Sequence, residues 1–339
     1  MNILFMTIAY PKTDEQNIYS DLMGEFVRRG HRVYVACTSE RHNEQETKLT
    51  VENGSSILRV RTGNLTGRVS LIEKGYTTIT LEYVIKRAIR KYFGKVKFDL
   101  VMYSTPPITF TNVVEYIRKR EKARTYLLLK DIFPQNAVDI GLMNENGLMH
   151  KYFRAKEKNL YQVSDYIGCM SQANVDYMMK HNPFIEADRI EVCPNSIEPL
   201  DMNINAVDKK NIRNKYGIPE DKTVFIYGGN LGKPQGIEFL MQCLKANENN
   251  NEAFIVIAGS GTEYESLKEF FDKEGLKNSK LFSHIPKEDY DLLVNTCDVG
   301  LIFLDNRFTI PNFPSRLLSY MQASIPVLAF TDRSTDIGK

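Results

Sequence analysis

Long apolar runs are missing from this 339-residue sequence: no segment approaches the roughly 18 apolar residues that a membrane-spanning helix needs. No basic stretch precedes the short apolar start, "MNILFMTIAYPK", which reads as a first β-strand and not as a signal peptide. The five cysteines, Cys37, Cys169, Cys193, Cys243 and Cys297, contain no CxxC pair, and they read as reduced core thiols of a cytoplasmic protein. The five histidines are scattered and offer no metal-ligand cluster. Charge is nearly balanced at +2, so nothing marks a nucleic-acid partner. Short-period repeats and low-complexity segments are absent as well.

What is present is ordinary for a globular chain: 42% hydrophobic and 25% charged residues. The length exceeds what one core usually serves, which predicts two domains. Residues 1–198 carry 28 Lys and Arg against 23 Asp and Glu; residues 199–339 carry 16 against 19. The first half is therefore the one suited to an anionic surface.

Strands and helices alternate through the first half. "NILFMTIAY" is followed by "NIYSDLMGEFVRRG", with Ile18, Leu22, Phe26 and Val27 at helical spacing and Gly30 as a stop. "HRVYVACTS" and, after a polar stretch, "SILRVRT" are further strands. A long helical region near 71–93 leads to "FDLVMYS", a helix after Pro107, "TYLLLKD" and a helix near 147–162; "DYIGCMS" and "IEVCPNS" close the half. Strands separated by helices predict a parallel sheet covered on both faces. "PNSIEPLDMNINAVDKKN" loses periodicity, and the domain boundary is expected there, between 198 and 199. The same grammar then restarts: "TVFIYGG", helix 236–246, "AFIVIAGSG", helix 263–275, "KLFSHI", helix 287–296, "VGLIFL", helix 314–322 and "PVLAF". The expected fold is α/β, with two doubly wound, Rossmann-like domains. The sequence stops just after a strand, and the second domain is expected to be C-terminally incomplete.

"YGGNLGKPQGIEFL" (227–240) sets Gly229, Asn230, Gly232, Lys233 and Gln235 between a strand and a helix start. Backbone N–H groups at such a turn favour an anion, and glycines let it approach. Neither GxxxxGK[ST] nor GxGxxG fits. A glycine-rich turn without a ligand would look the same. "IAGSGTEYESL" repeats the geometry with Gly259 and Gly261, which points to a nucleotide lying along the carboxyl ends of the strands. In "NFPSRLLSYMQASIPVLA" Pro314 and Ser315 open a helix and Arg316 is placed to reach a diphosphate, unless it is a plain surface charge. Asp131 ends the strand in "LLLKDIFPQ", where such sheets put functional groups, although a turn-capping aspartate would sit there too. "YVIKRAIRKYFGKVK" (83–97) has six Lys and Arg and no acid, with Val84, Ile85, Ile89, Tyr92 and Phe93 at roughly helical spacing. It suits a helix lying on an anionic bilayer, or a solvated face whose apolar stripe packs on the sheet. "RKREKAR" (118–124) adds charge. Asp289-Tyr290-Asp291 has the DxD spacing of a metal site but opens a helix, so its acids read as first-turn residues favoured by the dipole.

The order GGNLG…QG, AGSG, "HIPKEDYDLL" and "CDVGLIFL…FPSRLLSYMQASIPVLA", together with "KDIFPQ", "GCMSQANVDYM" and "VCPNSIEP", resembles family 4 glycosyltransferases of the GT-B fold. It looks closest to the bacterial branch that builds capsule and O-antigen units, including fucosamine transferases. The resemblance implies two domains facing a cleft. It also implies a retaining, metal-independent transfer from a nucleotide-diphosphate sugar, UDP-linked, to a polyprenyl-diphosphate-linked saccharide at the inner face of the plasma membrane. No nucleic acid or cofactor is expected. Gly229, Asn230, Gly232, Lys233, Gln235, Gly259, Gly261, His284, Ser315 and Arg316 would bind the donor, Asp131 would serve the acceptor hydroxyl as base or orienting group, and Asn17, Tyr19, Ser20 and Thr105 would line the acceptor side.

The sequence departs from the family in places. Asn230 and Gln235 stand where the family usually has Arg and Lys, and its E-x7-E pair falls on Pro311 and Ser319. Lys233 and Arg316 then supply the positive charge. A nucleotide-sugar 2-epimerase of the same fold and a non-catalytic sugar-nucleotide-binding subunit are the alternatives. A dinucleotide oxidoreductase is disfavoured because GxGxxG is missing from both halves.

Overall fold

The computed structural model describes all residues except 13–14, 42–44, 66–68, 70 and 200–205. The chain divides into two compact units, Met1–Ile197 joined by Asp336–Lys339, and Glu198–Thr335. The middle of the polar boundary stretch, 200–205, lies outside the described residues.

The first unit runs β1 (Asn2–Met6), α1 (Ile18–Arg28), β2 (Arg32–Glu40), β3 (Lys48–Glu52), β4 (Ser55–Thr62), α2 (Leu71–Tyr92), β5 (Leu100–Ser104), α3 (Thr111–Glu121), β6 (Arg124–Leu129), α4 (Gln135–Asp139), α5 (Leu148–Val163), β7 (Tyr166–Cys169), α6 (Gln172–His181) and β8 (Ile190–Val192). Its eight strands lie in the order β3-β4-β2-β1-β5-β6-β7-β8. All neighbours are parallel except β3 and β4. Ile3, Leu4, Phe5 and Met6 of central β1 are fully buried, as a strand covered on both faces requires. β3 arises in a stretch that reads as merely polar. Asn53 and Gly54, with φ of 48° and 77°, make the tight turn that folds it back onto β4. The strand order reverses between β1 and β5, which puts the unit's functional crevice at their carboxyl ends.

Of the two readings of 83–97, the apolar stripe follows the second and packs as core. Ile85, Ile89 and Phe93 are buried, the last packed edge-on against Tyr34 and Phe98. Their burial against the sheet removes them from any outer surface.

The second unit runs α7 (Ala206–Lys215), β9 (Thr223–Gly228), α8 (Ile237–Asn247), β10 (Ala253–Ala258), α9 (Tyr264–Glu274), β11 (Ser279–Phe282), α10 (Lys287–Val294), β12 (Val299–Phe303), α11 (Arg316–Gln322) and β13 (Val327–Phe330). Its sheet is β11-β10-β9-β12-β13, parallel throughout. All six residues of β10 are buried. α7 is the correction here, because it forms within the stretch without periodicity. Arg213, itself buried, holds it in place by donating to the Thr296 carbonyl and to Asp298. In this sheet the order reverses between β9 and β12, so the loop after β9 stands at the switch point. Among the described residues, no helix is long and apolar enough to cross a membrane.

Candidate functional site

The loop after β9 is stitched to the loop after β10. Gly229 N–H donates to the Ala258 carbonyl at 2.9 Å, Leu231 N–H to Ser260 at 2.9 Å, and Glu263 N–H returns to Leu231 at 2.9 Å. Tyr227 donates its hydroxyl to the Asn230 carbonyl at 2.7 Å. Gln235 Oε1 accepts from Asn230 Nδ2 at 3.2 Å and from Gly232 N–H at 3.1 Å. A Cβ on Gly259 would fall on the Gly229 carbonyl, and one on Gly261 on the Leu231 carbonyl. Gly259 and Gly261 are therefore glycines because two backbones touch, which a ligand-based reading of the sequence does not foresee. Gly229 has φ of 123°, open to glycine alone. Most amides of this loop are spent inside the protein, so charge for an anion has to come from side chains.

Arg316 supplies it. Its guanidinium lies 4.2 Å above the Tyr227 ring centre, and its Nη2 is 3.6 Å from where a Gly229 Cβ would stand. Nη1 is buried with no hydrogen-bond partner among the described residues. A buried N–H left unpaired costs about 1–3 kcal/mol, and an incoming anion would recover that cost. Burial pushes the Tyr227 hydroxyl up, while Arg316 opposes the shift. Lys233 opens a short 3₁₀ turn, Lys233–Gln235, and points to solvent. Ser315 is exposed beside Arg316. His284 follows the edge strand β11 and is exposed. Where the family motif has glutamates, Pro311 is buried and Ser319 lies within α11. The DxD acids are engaged separately: Asp289 by Lys215 and the Tyr216 hydroxyl, each at 2.5 Å, and Asp291 by Lys287 at 2.6 Å.

In the first unit Asp131 follows β6 near the carboxyl ends of β1 and β5. Thr105 fixes its turn. The buried hydroxyl accepts from Lys130 N–H at 3.0 Å and Asp131 N–H at 3.1 Å, and donates to the Asp131 carbonyl at 3.0 Å. Thr105 thus positions Asp131 instead of offering a free hydroxyl. Asp131 keeps exposed surface, yet crowding by protein atoms pushes its carboxyl up to about 6. Desolvation lowers the neighbouring Lys130 to about 8. Burial pushes the Tyr19 hydroxyl up, the Asp131 charge adding less, and its ring packs 5.1 Å from that of Phe5. Asn17 and Ser20 form a capping box on α1: Asn17 Oδ1 accepts from Tyr19 and Ser20 N–H, and Ser20 Oγ accepts from Asn17 N–H at 2.8 Å. Asn17 Oδ1 and Ser20 Oγ are thus committed to the helix start.

Sequence reasoning passed over Tyr227, whose ring carries Arg316, and Tyr290, whose hydroxyl fills the space a Gly228 Cβ would take. The only sign of Tyr227 was an aromatic residue directly before the glycine pair. Tyr290 was read merely as the middle of a false DxD.

Residues 17–199 match the model of Glycosyltransferase Family 4, and residues 208–335 that of Glycosyl transferases group 1. The chain is 24% identical over 243 residues to the probable glycosyltransferase WbjE of Pseudomonas aeruginosa, covering 71% of this chain and 59% of that protein. It is 22% identical over 250 residues to the putative colanic acid biosynthesis glycosyl transferase WcaI of Escherichia coli K12, covering 72% and 60%. It thus spans about three-fifths of the length of these curated relatives. Among solved structures, an E. coli trehalose-6-phosphate protein bound with UDP-2-fluoro glucose superposes with a TM-score of 0.71 at 9% identity, over 99% of this chain and 85% of that one. Anabaena HepE in complex with UDP and glucose gives 0.65 at 16%, over 97% and 80%. These likenesses show the GT-B fold, with its two Rossmann-like domains. With more than half its length matched by one family model, this chain belongs to Glycosyltransferase Family 4.

Proposed function

We propose that the chain transfers a sugar, with retention, from a UDP-sugar to a lipid-linked saccharide acceptor, at the inner face of the plasma membrane and in the building of a surface polysaccharide such as capsule or O-antigen. The observation that carries this reading is Arg316, with its buried, unpaired N–H beside Gly229 at the switch point of the second sheet. The presence of UDP or a UDP-sugar in two of the solved relatives supports the nucleotide, and the name of WcaI supports the polysaccharide setting.

In this reading the second unit holds the donor. Arg316 and exposed Lys233 face the diphosphate, and a metal is not needed, because the two cations stabilise the charge that the departing UDP acquires. The first unit serves the acceptor. Its hydroxyl oxygen bonds to the anomeric carbon on the same face from which the diphosphate oxygen departs, as retention requires, and Asp131 orients that hydroxyl or takes its proton. A carboxyl near 6 is ionised at neutral pH yet basic enough for the task.

Calorimetric titration of the purified chain with UDP, GDP and NAD tests the reading. UDP alone should bind, and Lys233→Ala and Arg316→Ala should each weaken it at least tenfold. Preference for NAD, or no binding of any of the three, would overturn it. Buried Pro311 and half-buried Ser319, in place of the family's acids, favour a second reading as a non-catalytic donor-binding subunit. That reading predicts UDP-sugar binding with no turnover. Turnover of donor without acceptor would instead indicate a 2-epimerase.

A further inference from the structure

We propose that the outward face of α2, together with the adjoining end of α3, seats the first unit on an anionic lipid bilayer. The inference deepens the functional reading above, on which it rests for the lipid-linked acceptor, and it uses residues outside the donor and acceptor sites. With Ile85, Ile89 and Phe93 turned inward, the opposite side of α2 carries Tyr76, Ile79 and Tyr83, which are 70%, 61% and 68% exposed. These three, followed by Arg87 and Arg90, step along one face at helical spacing, flanked by Lys86 and Lys91. A row of three large exposed apolar or aromatic side chains within two turns is costly in water. Aromatic rings with a polar tip are what settles at a headgroup layer.

Past Tyr83 the charge beside the row has one sign, and at its start Glu73, one turn before Tyr76, is half-buried and paired with Arg41. Residues 83–97 contain no acid, and Lys95 and Lys97 are also exposed. Lys86, Arg90 and, from α3, Arg120 gather around the single ring of Tyr116 at 4.9, 5.8 and 5.2 Å. The acids of α3 are already taken: Glu115 pairs with Lys119, and buried Glu121 with Arg120. Glu82 is buried and accepts from Asn112. Arg87, Arg90 and Lys91 are exposed beside the apolar row, where lipid phosphates would relieve their mutual repulsion. A solvated helix face would account for the cations but not for the row of Tyr76, Ile79 and Tyr83.

Sedimentation of the full chain with vesicles of phosphatidylcholine, alone or mixed with phosphatidylglycerol, tests this. The wild type should pellet with the mixed vesicles and not with the neutral ones. Arg87→Gln/Arg90→Gln/Lys91→Gln should lose about a hundredfold in partitioning. Ile79→Ser/Tyr83→Ser should keep binding at low salt and lose what remains at high salt. UDP titration of each variant should match the wild type. That shows they are folded and separates this proposal from the donor reading, which falls if UDP does not bind while vesicles still do. The proposal is overturned if the wild type ignores anionic vesicles or both variants bind like it. It is overturned equally if soluble heparin is bound as tightly and Ile79→Ser/Tyr83→Ser changes nothing.

Discussion

Asp131 shows what a turn at a strand end does to one carboxyl. Its folded pKa, near 6, exceeds the ordinary 3.8 because desolvation disfavours the charge. The folded state therefore binds a proton that the unfolded state has released between these values, and stability falls as pH rises through that window. Asp131→Asn is expected to raise the melting temperature at pH 7 relative to the wild type, to leave it little changed near pH 4, and to abolish transfer. Thermal melts at the two pH values, beside a transfer assay, check this. On the proposed role of Asp131 as base, transfer should decline below about pH 6 as its carboxyl is protonated. Gly259 makes a different point. A methyl there meets the Gly229 carbonyl, which cannot swing aside as a side chain would. Gly259→Ala should cost about 1–3 kcal/mol in urea unfolding and loosen the loop that Arg316 sits beside.

At the scale of elements, α7 and α2 show how packing overrides a local reading. α7 has little apolar face of its own, and its anchor is polar: Arg213 reaches the Thr296 carbonyl, Asp298 and the Pro219 carbonyl. Removing the guanidinium leaves a buried carbonyl without its donor. Arg213→Ala should destabilise the second unit by about 2–3 kcal/mol, measured by denaturant unfolding, while Arg213→Lys should recover only part, since one ammonium cannot span three acceptors. α2 carries two apolar rows, and only the fold decides which is core.

For the whole molecule, each unit has its own sheet and its own buried cluster. Phe5, Met23 and Val35 belong to that of the first unit, and Tyr227, Leu240 and Ile257 to that of the second. Scanning calorimetry should resolve two transitions. UDP at about a hundred times its dissociation constant should stabilise the second unit by about 2.7 kcal/mol and shift its transition upward, leaving the other in place. A single transition that moves as one would show that the units are coupled.

The alternation of apolar strands with helical spacing was enough to establish two doubly wound units, because strands buried on both faces must be apolar along their whole length, as β1 and β10 are. The hairpin turned by Asn53-Gly54 was not legible, since a polar edge strand such as β3 carries no apolar run to announce it. The sequence marked the loops at 229–236 and 259–261 and singled out Arg316 and Asp131. It could not decide what the glycines were for. That depended on two backbones from different strands meeting at one place, and contact across a sheet leaves no periodic trace in either segment. The same holds for Thr105, which acts through the turn of another strand, and for Tyr227 beneath Arg316, 89 positions away along the chain. Composition and spacing determine which segments must be buried; only tertiary packing decides which polar groups are left unpaired once they are.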